Sequence, residues 1–344
     1  MDSVIDEMHE MHEMYEMQEM HEMHQPLFLE NPGRIIVIGD IHGDIDRLLR
    51  IFISLNLFSN TLEWIAQPPN TIVIQLGDQI DSMDRTGINP YWDNNSSACP
   101  GGILDLNVLI LMDKLDAIAI AAGYGGRVLS LIGNHELLNL MHEFHYVSPC
   151  SLNIVDAETR KQLFAYGNGQ FTQLLAKRNI VVKIGNFLFC HGGILPEHLE
   201  LLYNIYGTID LNTINTIFRK FVYTIGLEPH ETHILQNLII GDNGILWTRA
   251  YMNLLISAQQ DTNIHNILEN ILNHILTQTN TLSMFIGHNT VDHITSVSNN
   301  KIFFMDASLS RAYNSCNNQV IEIVTDFTTG INNVNLIEIP CINN

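Results

Sequence analysis

Five short polar blocks, each placed directly behind a run of apolar residues, constrain the fold of this chain more than any other feature. They are Gly39-Asp40-Ile41-His42-Gly43, Gly77-Asp78-Gln79-Ile80-Asp81, Gly133-Asn134-His135-Glu136, His191-Gly192-Gly193 and Gly287-His288-Asn289. The runs that precede them, Arg34–Ile38, Thr71–Leu76, Arg127–Ile132, Phe187–Cys190 and Leu282–Ile286, have the length and unbroken apolar character of strands covered on both faces. Further runs at Ile180–Ile184, Lys301–Met305, Val320–Val324 and Leu336–Ile339 extend the pattern. Helices alternate with the early strands. Ile45, Leu48, Leu49, Phe52 and Leu55 recur at helical spacing, and Leu104–Ala122 reads as a second helix. The fold class predicted is α/β, a four-layer α/β/β/α sandwich. The late strands follow one another without helices, which predicts a second sheet of more antiparallel character. Residues 196–280 lack strong strands and predict a helical insertion beside or over the site.

The chain divides unevenly. Residues 1–26 contain six consecutive triplets built on Glu-Met, four of them closed by His. A three-residue repeat slips around a 3.6-residue helix, so its Met residues cannot hold one buried stripe, and a solvated, disordered tail is expected up to Pro26. Residues 27–344 form one domain on this reading. With 46% hydrophobic and 15% charged residues, the chain can bury a sizeable core. No apolar run reaches the roughly 18 residues needed to cross a bilayer, and the N-terminus is acidic where a signal peptide is basic, so a soluble intracellular protein is expected. The five cysteines are scattered and form no CxxC pair, which speaks against a disulfide framework or a thiolate metal site and for a reducing compartment. A net charge of −21 disfavours nucleic acid and anionic membranes as partners.

In α/β sheets, loops at the carboxyl ends of strands converge on one crevice, so the five blocks can meet although they are far apart in sequence. Together they offer carboxylate, amide and imidazole ligands without sulfur, a set that suits Mn, Fe or Zn. Asp78 is the natural bridge, because a carboxylate has two oxygens and can hold two divalent ions about 3.5–4 Å apart. Asp40 and His42 complete the first ion's protein ligands. Asn134, His191 and His288 complete the second's.

The ordered series GDIHG, GDQID, GNHE, HGG and GHN resembles the motifs of the calcineurin-like metallophosphoesterases, and within them the phosphoprotein phosphatases, over residues 35–308. Leu246-Trp247-Thr248-Arg249 and Asp306-Ala307-Ser308-Leu309-Ser310 are similar to blocks of the bacterial-type, Shewanella-like branch, and Ile132 stands where eukaryotic phosphatases usually carry Arg. The resemblance implies the metal ligands named above, His135 as general acid for the leaving group, Asp81 orienting its imidazole, and a metal-activated water as nucleophile. It also implies Arg249 as a phosphate clamp. The family's second clamp, an Arg immediately after the second Asp of GDxxD, is replaced here by Ser82, and Arg85 is the candidate substitute.

Other polar residues carry structural readings beside functional ones. Glu136 either bonds nearby backbone or sits as a carboxylate in a first helical turn. Asp113, Asp116, His142 and His145 read as solvated or capping residues, and Asp306 as a partner held behind the ligands. The activity predicted is hydrolysis of phosphate monoesters on proteins, at Ser, Thr or Tyr. Hydrolysis of dinucleoside polyphosphates, polyphosphate or an RNA cap is the alternative with the same metals, though 16 dispersed Lys plus Arg count against it. A catalytically weak scaffold is a third reading, and it predicts eroded ligands.

Overall fold

The computed structural model describes residues 25–26, 28–29, 32–83, 105–258, 261–313 and 317–340. The Glu-Met-His repeat therefore lies outside the described residues. In chain order the strands are β1 (Phe28–Leu29), β2 (Arg34–Ile38), β3 (Ile72–Gln75), β4 (Arg127–Ser130), β5 (Val181–Ile184), β6 (Phe187–Cys190), β7 (Ser283–Ile286), β8 (Thr295–Val297), β9 (Ile302–Phe304), β10 (Gln319–Asp326) and β11 (Ile331–Glu338). They build a five-stranded sheet, β11-β10-β2-β3-β4, and a six-stranded sheet, β1-β5-β6-β7-β9-β8.

The two sheets lie face to face, and the alternation of side chains along each strand shows how. Ile35 and Val37 of β2, Ile72 and Ile74 of β3 and Leu129 of β4 share one buried cluster with Val182, Phe187, Phe189, Phe285 and Phe303 of the other sheet. The intervening residues of β2 to β4, Ile36, Ile38, Val73 and Val128, pack outward against Leu48, Ile51 and Phe52 of helix Ile45–Ser54 and Val108, Met112 and Leu115 of helix Asn107–Ala121. On the far side, Leu188, Cys190, Met284, Ile286 and Phe304 face a helical layer. Four layers follow because both faces of both sheets are apolar and each must be covered.

Two expectations are corrected. The late strands do not make the second sheet the more antiparallel one. β10 and β11 form a hairpin that joins the first sheet beside β2, while the second sheet mixes parallel pairs (β1-β5, β6-β7, β7-β9) with antiparallel ones (β5-β6, β8-β9). A missing helix between strands forces antiparallel pairing only on strands that are neighbours, and here the chain leaves one sheet for the other. Cysteine spacing also misled: Cys150 is disulfide-bonded, since distance in sequence does not report distance in space. Cys190 is a buried free thiol, pushed up by burial to about 12 and so inert as a nucleophile.

The helices between β6 and β7, among them Pro196–Tyr206, Asn212–Val222 and Thr262–Thr279, bury Leu199, Leu202, Ile214, Phe218, Leu268, Leu272 and Ile275 against the six-stranded sheet. They are a structural layer of the sandwich, and from the loop 241–249 within this stretch Asp242, Trp247 and Arg249 reach the site described below. No described helix is long and apolar enough to cross a membrane.

Helix Pro196–Tyr206 depends on one neutral imidazole. His198 Nδ1 accepts from Leu195 N at 3.1 Å, and Nε2 donates to the Asn243 carbonyl at 2.8 Å, so neither nitrogen has room for another proton. Burial holds its pKa down to about 4, against an ordinary 6.5. Below pH 6.5 the unfolded chain binds a proton that the folded one refuses, so stability falls as pH drops through that window, by up to about 3 kcal/mol. Urea unfolding at pH 7 and pH 4.5 should show His198→Asn losing less stability on acidification than the wild type; equal losses would remove His198 as the cause.

Candidate active site

Register brings the polar blocks level. Ile38 pairs with Gln75 and Gln75 with Ser130 across β2, β3 and β4, while Cys190 pairs with Ile286 across β6 and β7. The loops that follow these residues therefore open at the same edge of the sandwich. They approach so closely that a side chain on Gly133 would run into Asp78, and one on Gly287 into Asp40. The turns are tight enough to force side-chain-bearing residues into left-handed backbone. His42, Asp78, Asp81 and His288 have φ of 42°, 55°, 64° and 58°. Such conformations cost about 1–2 kcal/mol each and persist only where the surroundings over-determine them.

A pocket of about 370 Å³ results, lined by Asp40, His42, Asp78, Asn134, His135, Arg249 and His288 together with Tyr146, Asp242, Trp247, Thr290, Asp306 and Tyr313. His191 is buried beneath it. Asp78 Oδ2 lies 3.2 Å from His191 Nε2 and 3.7 Å from His135 Nε2. Asn134 Oδ1 lies 3.0 Å from His191 Nε2 and 2.9 Å from His288 Nδ1. Two groups of ligating atoms, His42-Asp78-His135 and Asp78-His191-His288, share Asp78. Asp40 stands beside them, accepting from His288 N at 3.2 Å.

The imidazoles report what the pocket is built to hold. His42 Nδ1 donates to the Ile80 carbonyl (3.1 Å), His191 Nδ1 to the Leu76 carbonyl (2.7 Å) and His288 Nε2 to the Trp247 carbonyl (2.9 Å). A carbonyl only accepts, so each ring carries a proton on that nitrogen and turns its other nitrogen inward. Burial is outweighed at His191 by the Asp78 carboxylate, which holds its pKa above the ordinary value. A divalent cation between the inward nitrogens, Asp78 and Asn134 would take the place of any proton they carry. Carboxylates crowd the same place. Burial and the neighbouring Asp306 and Asp78 hold the Asp40 carboxyl well above its usual range. Burial would raise Asp78 too, but His191 and His135 beside it bring it well below. Burial, with His191 nearby, takes His288 down to about 3. The donor set and its uncompensated negative charge fit divalent cations.

Behind the pocket, Glu136 accepts from three backbone N–H groups, Asp78 N, Gln79 N and Gly133 N, each at 2.8 Å. The backbone-bonding reading of Glu136 is the one realised. Asp81 Oδ2 lies 2.9 Å from His135 Nδ1, and its Oδ1 is held by Asn139 and Arg160. Asp306 accepts from Thr290 Oγ1 at 2.7 Å, behind Asp40. Arg249 donates to the His288 carbonyl at 3.2 Å and lines the rim. Arg85 lies outside the described residues. Ser82, in the place of the missing clamp, is buried with its hydroxyl 3.1 Å from that of Ser148 and is not among the residues lining the pocket. Asp116 is buried rather than solvated, receiving both Arg127 and the N–H of Val128.

Sequence reasoning missed Arg160, Asp105, Asn139, Tyr146 and Tyr313. The aromatic pair stands over the histidines, Tyr146 with its ring 4.9 Å from His135 and Tyr313 with its ring 5.7 Å from His42. No periodic signal marks any of these positions.

Two stacked sheets that deliver carboxylate, amide and imidazole side chains from five strand ends to one pocket define an α/β/β/α hydrolase. The chain belongs to the calcineurin-like phosphoesterase family, whose pattern matches residues 33–222, and it is a phosphoesterase. It is similar to Shewanella-like protein phosphatase 1 of Plasmodium berghei, 28% identical over 81% of this chain and 67% of that protein. It is also similar to Shewanella-like protein phosphatase 2 of Arabidopsis thaliana, 24% identical over 86% of this chain and 76% of that one. The crystal structure of a cold-active protein-tyrosine phosphatase from a psychrophilic Shewanella species shares the fold, with a TM-score of 0.64 and 21% identity over 91% of this chain and 84% of that chain.

Glu136→Gln would set an amide NH₂ against buried N–H donors and leave at least one unsatisfied. At about 1–3 kcal/mol per orphaned group, a loss of about 2–4 kcal/mol is expected in chemical denaturation. A variant within about 0.5 kcal/mol of wild type would refute the role given to Glu136.

Proposed function

We propose that the chain hydrolyses phosphate monoesters, with phosphoproteins as its substrate class, at a centre of two divalent cations such as Mn²⁺, Fe or Zn²⁺. The observation that carries this reading is the sharing of Asp78 between two groups of ligating atoms. On this reading Asp40, His42 and Asp78 hold one cation, and Asp78, Asn134, His191 and His288 hold the other. Bound there, the cations supply Lewis acidity, acidifying water near neutral pH and drawing charge from the phosphoryl oxygens.

The chain's own residues do the rest. Arg249 takes phosphoryl oxygens with its planar fork and fixes the ester's orientation. His135 keeps Nδ1 on Asp81 and turns Nε2 toward the pocket. It gives the Nε2 proton to the leaving oxygen as the P–O bond breaks, while the water oxygen bonds phosphorus from the opposite side. His135 is also the third donor beside His42 and Asp78, where Asp40 was expected. A ring whose other nitrogen sits on a buried carboxylate stabilises an imidazolium, which suits an acid better than a ligand, so the acid role is assigned to it.

Monoesters are favoured over anhydrides by the pocket wall. Among its described lining residues Arg249 is the only Lys or Arg, facing Asp40, Asp78, Asp242 and Asp306. Beyond the proposed cations, a polyphosphate chain would find Arg249 as the one fixed positive side chain among the described lining residues. The names of the similar proteins point the same way.

Turnover of 4-nitrophenyl phosphate should require added Mn²⁺, vanish with a chelator, and drop at least about 10³-fold in Asp78→Asn. Metal-independent turnover, or an Asp78→Asn variant as active as wild type, would overturn the two-cation reading. Arg249→Ala should lower kcat/KM by about 10- to 100-fold, the worth of a charge-assisted clamp. Diadenosine tetraphosphate cleaved faster than a phosphopeptide would transfer the assignment to anhydrides.

A further inference from the structure

Arg160 is the largest fully buried side chain among the described residues and lies in a helix, Ala157–Leu163, whose sequence reads as an ordinary solvated surface. Its guanidinium makes four hydrogen bonds. Nη1 and Nη2 donate to the two oxygens of Asp105 at 3.3 and 3.1 Å, Nη2 also reaches Asp81 Oδ1 at 3.3 Å, and Nε donates to Asn139 Oδ1 at 2.7 Å. Phe144 and Phe164 lie 5.7 Å from its carbon. Asn139 closes the ring by donating to Asp81 Oδ1 at 2.9 Å and to the His135 carbonyl at 2.9 Å. Asp105 in turn accepts from Asp81 N at 3.1 Å.

Every bond in this ring bears on one object, the orientation of Asp81. Asp81 has left-handed backbone, a conformation that persists only where the surroundings hold it, and the ring holds its carboxylate. With Oδ1 taken by Arg160 and Asn139, only Oδ2 is left for His135 Nδ1. We infer that Arg160 is a positioning residue for the leaving-group acid: through Asp81 it holds the His135 ring at the angle from which Nε2 meets the departing oxygen. This rests on the acid role proposed above for His135. It explains why a full positive charge is buried here at a cost that a structural contact alone does not require, since an apolar residue could fill the same volume between the two Phe rings. Asn139 is the second member of the device, because it ties Asp81 to the backbone of the same histidine.

A positioning role has a signature that loss of packing lacks. An acid matters for a leaving group that departs poorly without a proton and little for one that departs well. The test compares phosphoserine peptide, whose alkoxide is a poor leaving group, with 4-nitrophenyl phosphate, whose phenolate is a good one, using the Mn²⁺-loaded enzyme. Arg160→Met should lose about 10²-fold in kcat on the peptide and less than about 5-fold on the aryl ester, with KM for both nearly unchanged, as for removal of part of a general acid's contribution. Arg160→Lys, which keeps the charge but cannot reach all three acceptors, should fall between. Asn139→Ala, a smaller perturbation suited to the case where Arg160→Met does not fold, should show the same selectivity more weakly. Equal losses on both substrates, or none, would overturn the inference. His135→Gln run in parallel separates the two layers: if it too is indifferent to the leaving group, the acid assignment fails; if it is selective while the Arg160 and Asn139 variants are not, only the positioning role fails.

Discussion

The buried carboxylate of Asp78 holds the pocket together, and much of the surrounding structure exists to keep it where it is. It sits at the end of a central strand, in backbone that an L-residue adopts reluctantly, with one oxygen receiving His135 N and the other turned to His191 and His135. Left alone, such a group would neutralise itself by taking a proton. The imidazoles around it prevent this, and the carboxylates of Asp40 and Asp306 nearby keep the site hungry for positive charge. Strain and charge are both stored at one edge of a sandwich whose core is almost wholly apolar.

Three buried ion or hydrogen-bond systems stabilise this arrangement from outside the pocket. Glu136 gathers the N–H groups of two adjacent loops and so fixes the GDQID block against the GNHE block. Arg311 grips Asp44 through Nε and Nη2 at 2.9 and 2.7 Å, which pins the turn carrying Tyr313 to the start of the helix that follows the GDIHG block. Arg160 with Asp105 and Asn139 holds Asp81. Each system joins loops from different strands, so the site is cross-braced by groups that are buried, Arg311 being partly so. Removing one partner of a buried pair leaves a buried charge uncompensated, which is strongly destabilising.

The sequence made the strands and the polar blocks legible because both are local: an apolar run and the Gly-Asp or Gly-His that ends it can be read within ten residues. Their convergence was legible too, since the topology of parallel strands sends successive loops to one edge. What stayed hidden is long-range. The β10–β11 hairpin looked like part of a second sheet until its pairing with β2 was visible. Nothing marked Arg160, next to Lys161 in the chain, since no helical pattern tells which arginine is folded inward. Asp105, which precedes the helix Asn107–Ala121, gave no sign of reaching across to the helix that carries Arg160. Left-handed φ at His42 and His288 has no sequence marker of the kind glycine provides. Cys150 could not be paired from spacing alone.

A chain of net charge −21 that acts on phosphate esters must solve an electrostatic problem locally. The pocket does not do so with a basic surface, since its described walls carry one arginine against four aspartates. The negative charge is instead concentrated inside, and on the function proposed above it would recruit cations, so that the substrate would meet the cations and not the carboxylates that hold them. Screening restricts the repulsion of the remaining surface to about 8–10 Å at ordinary ionic strength, so a phosphate that reaches the rim at Arg249 is governed by the few groups it touches. The tyrosines and Trp247 that complete the rim add apolar surface without adding charge. On the proposed function, discrimination in such a site would fall on the body of the substrate that carries the phosphate: a peptide could rest on those rings, whereas a second phosphate would find no further Lys or Arg among the described lining residues.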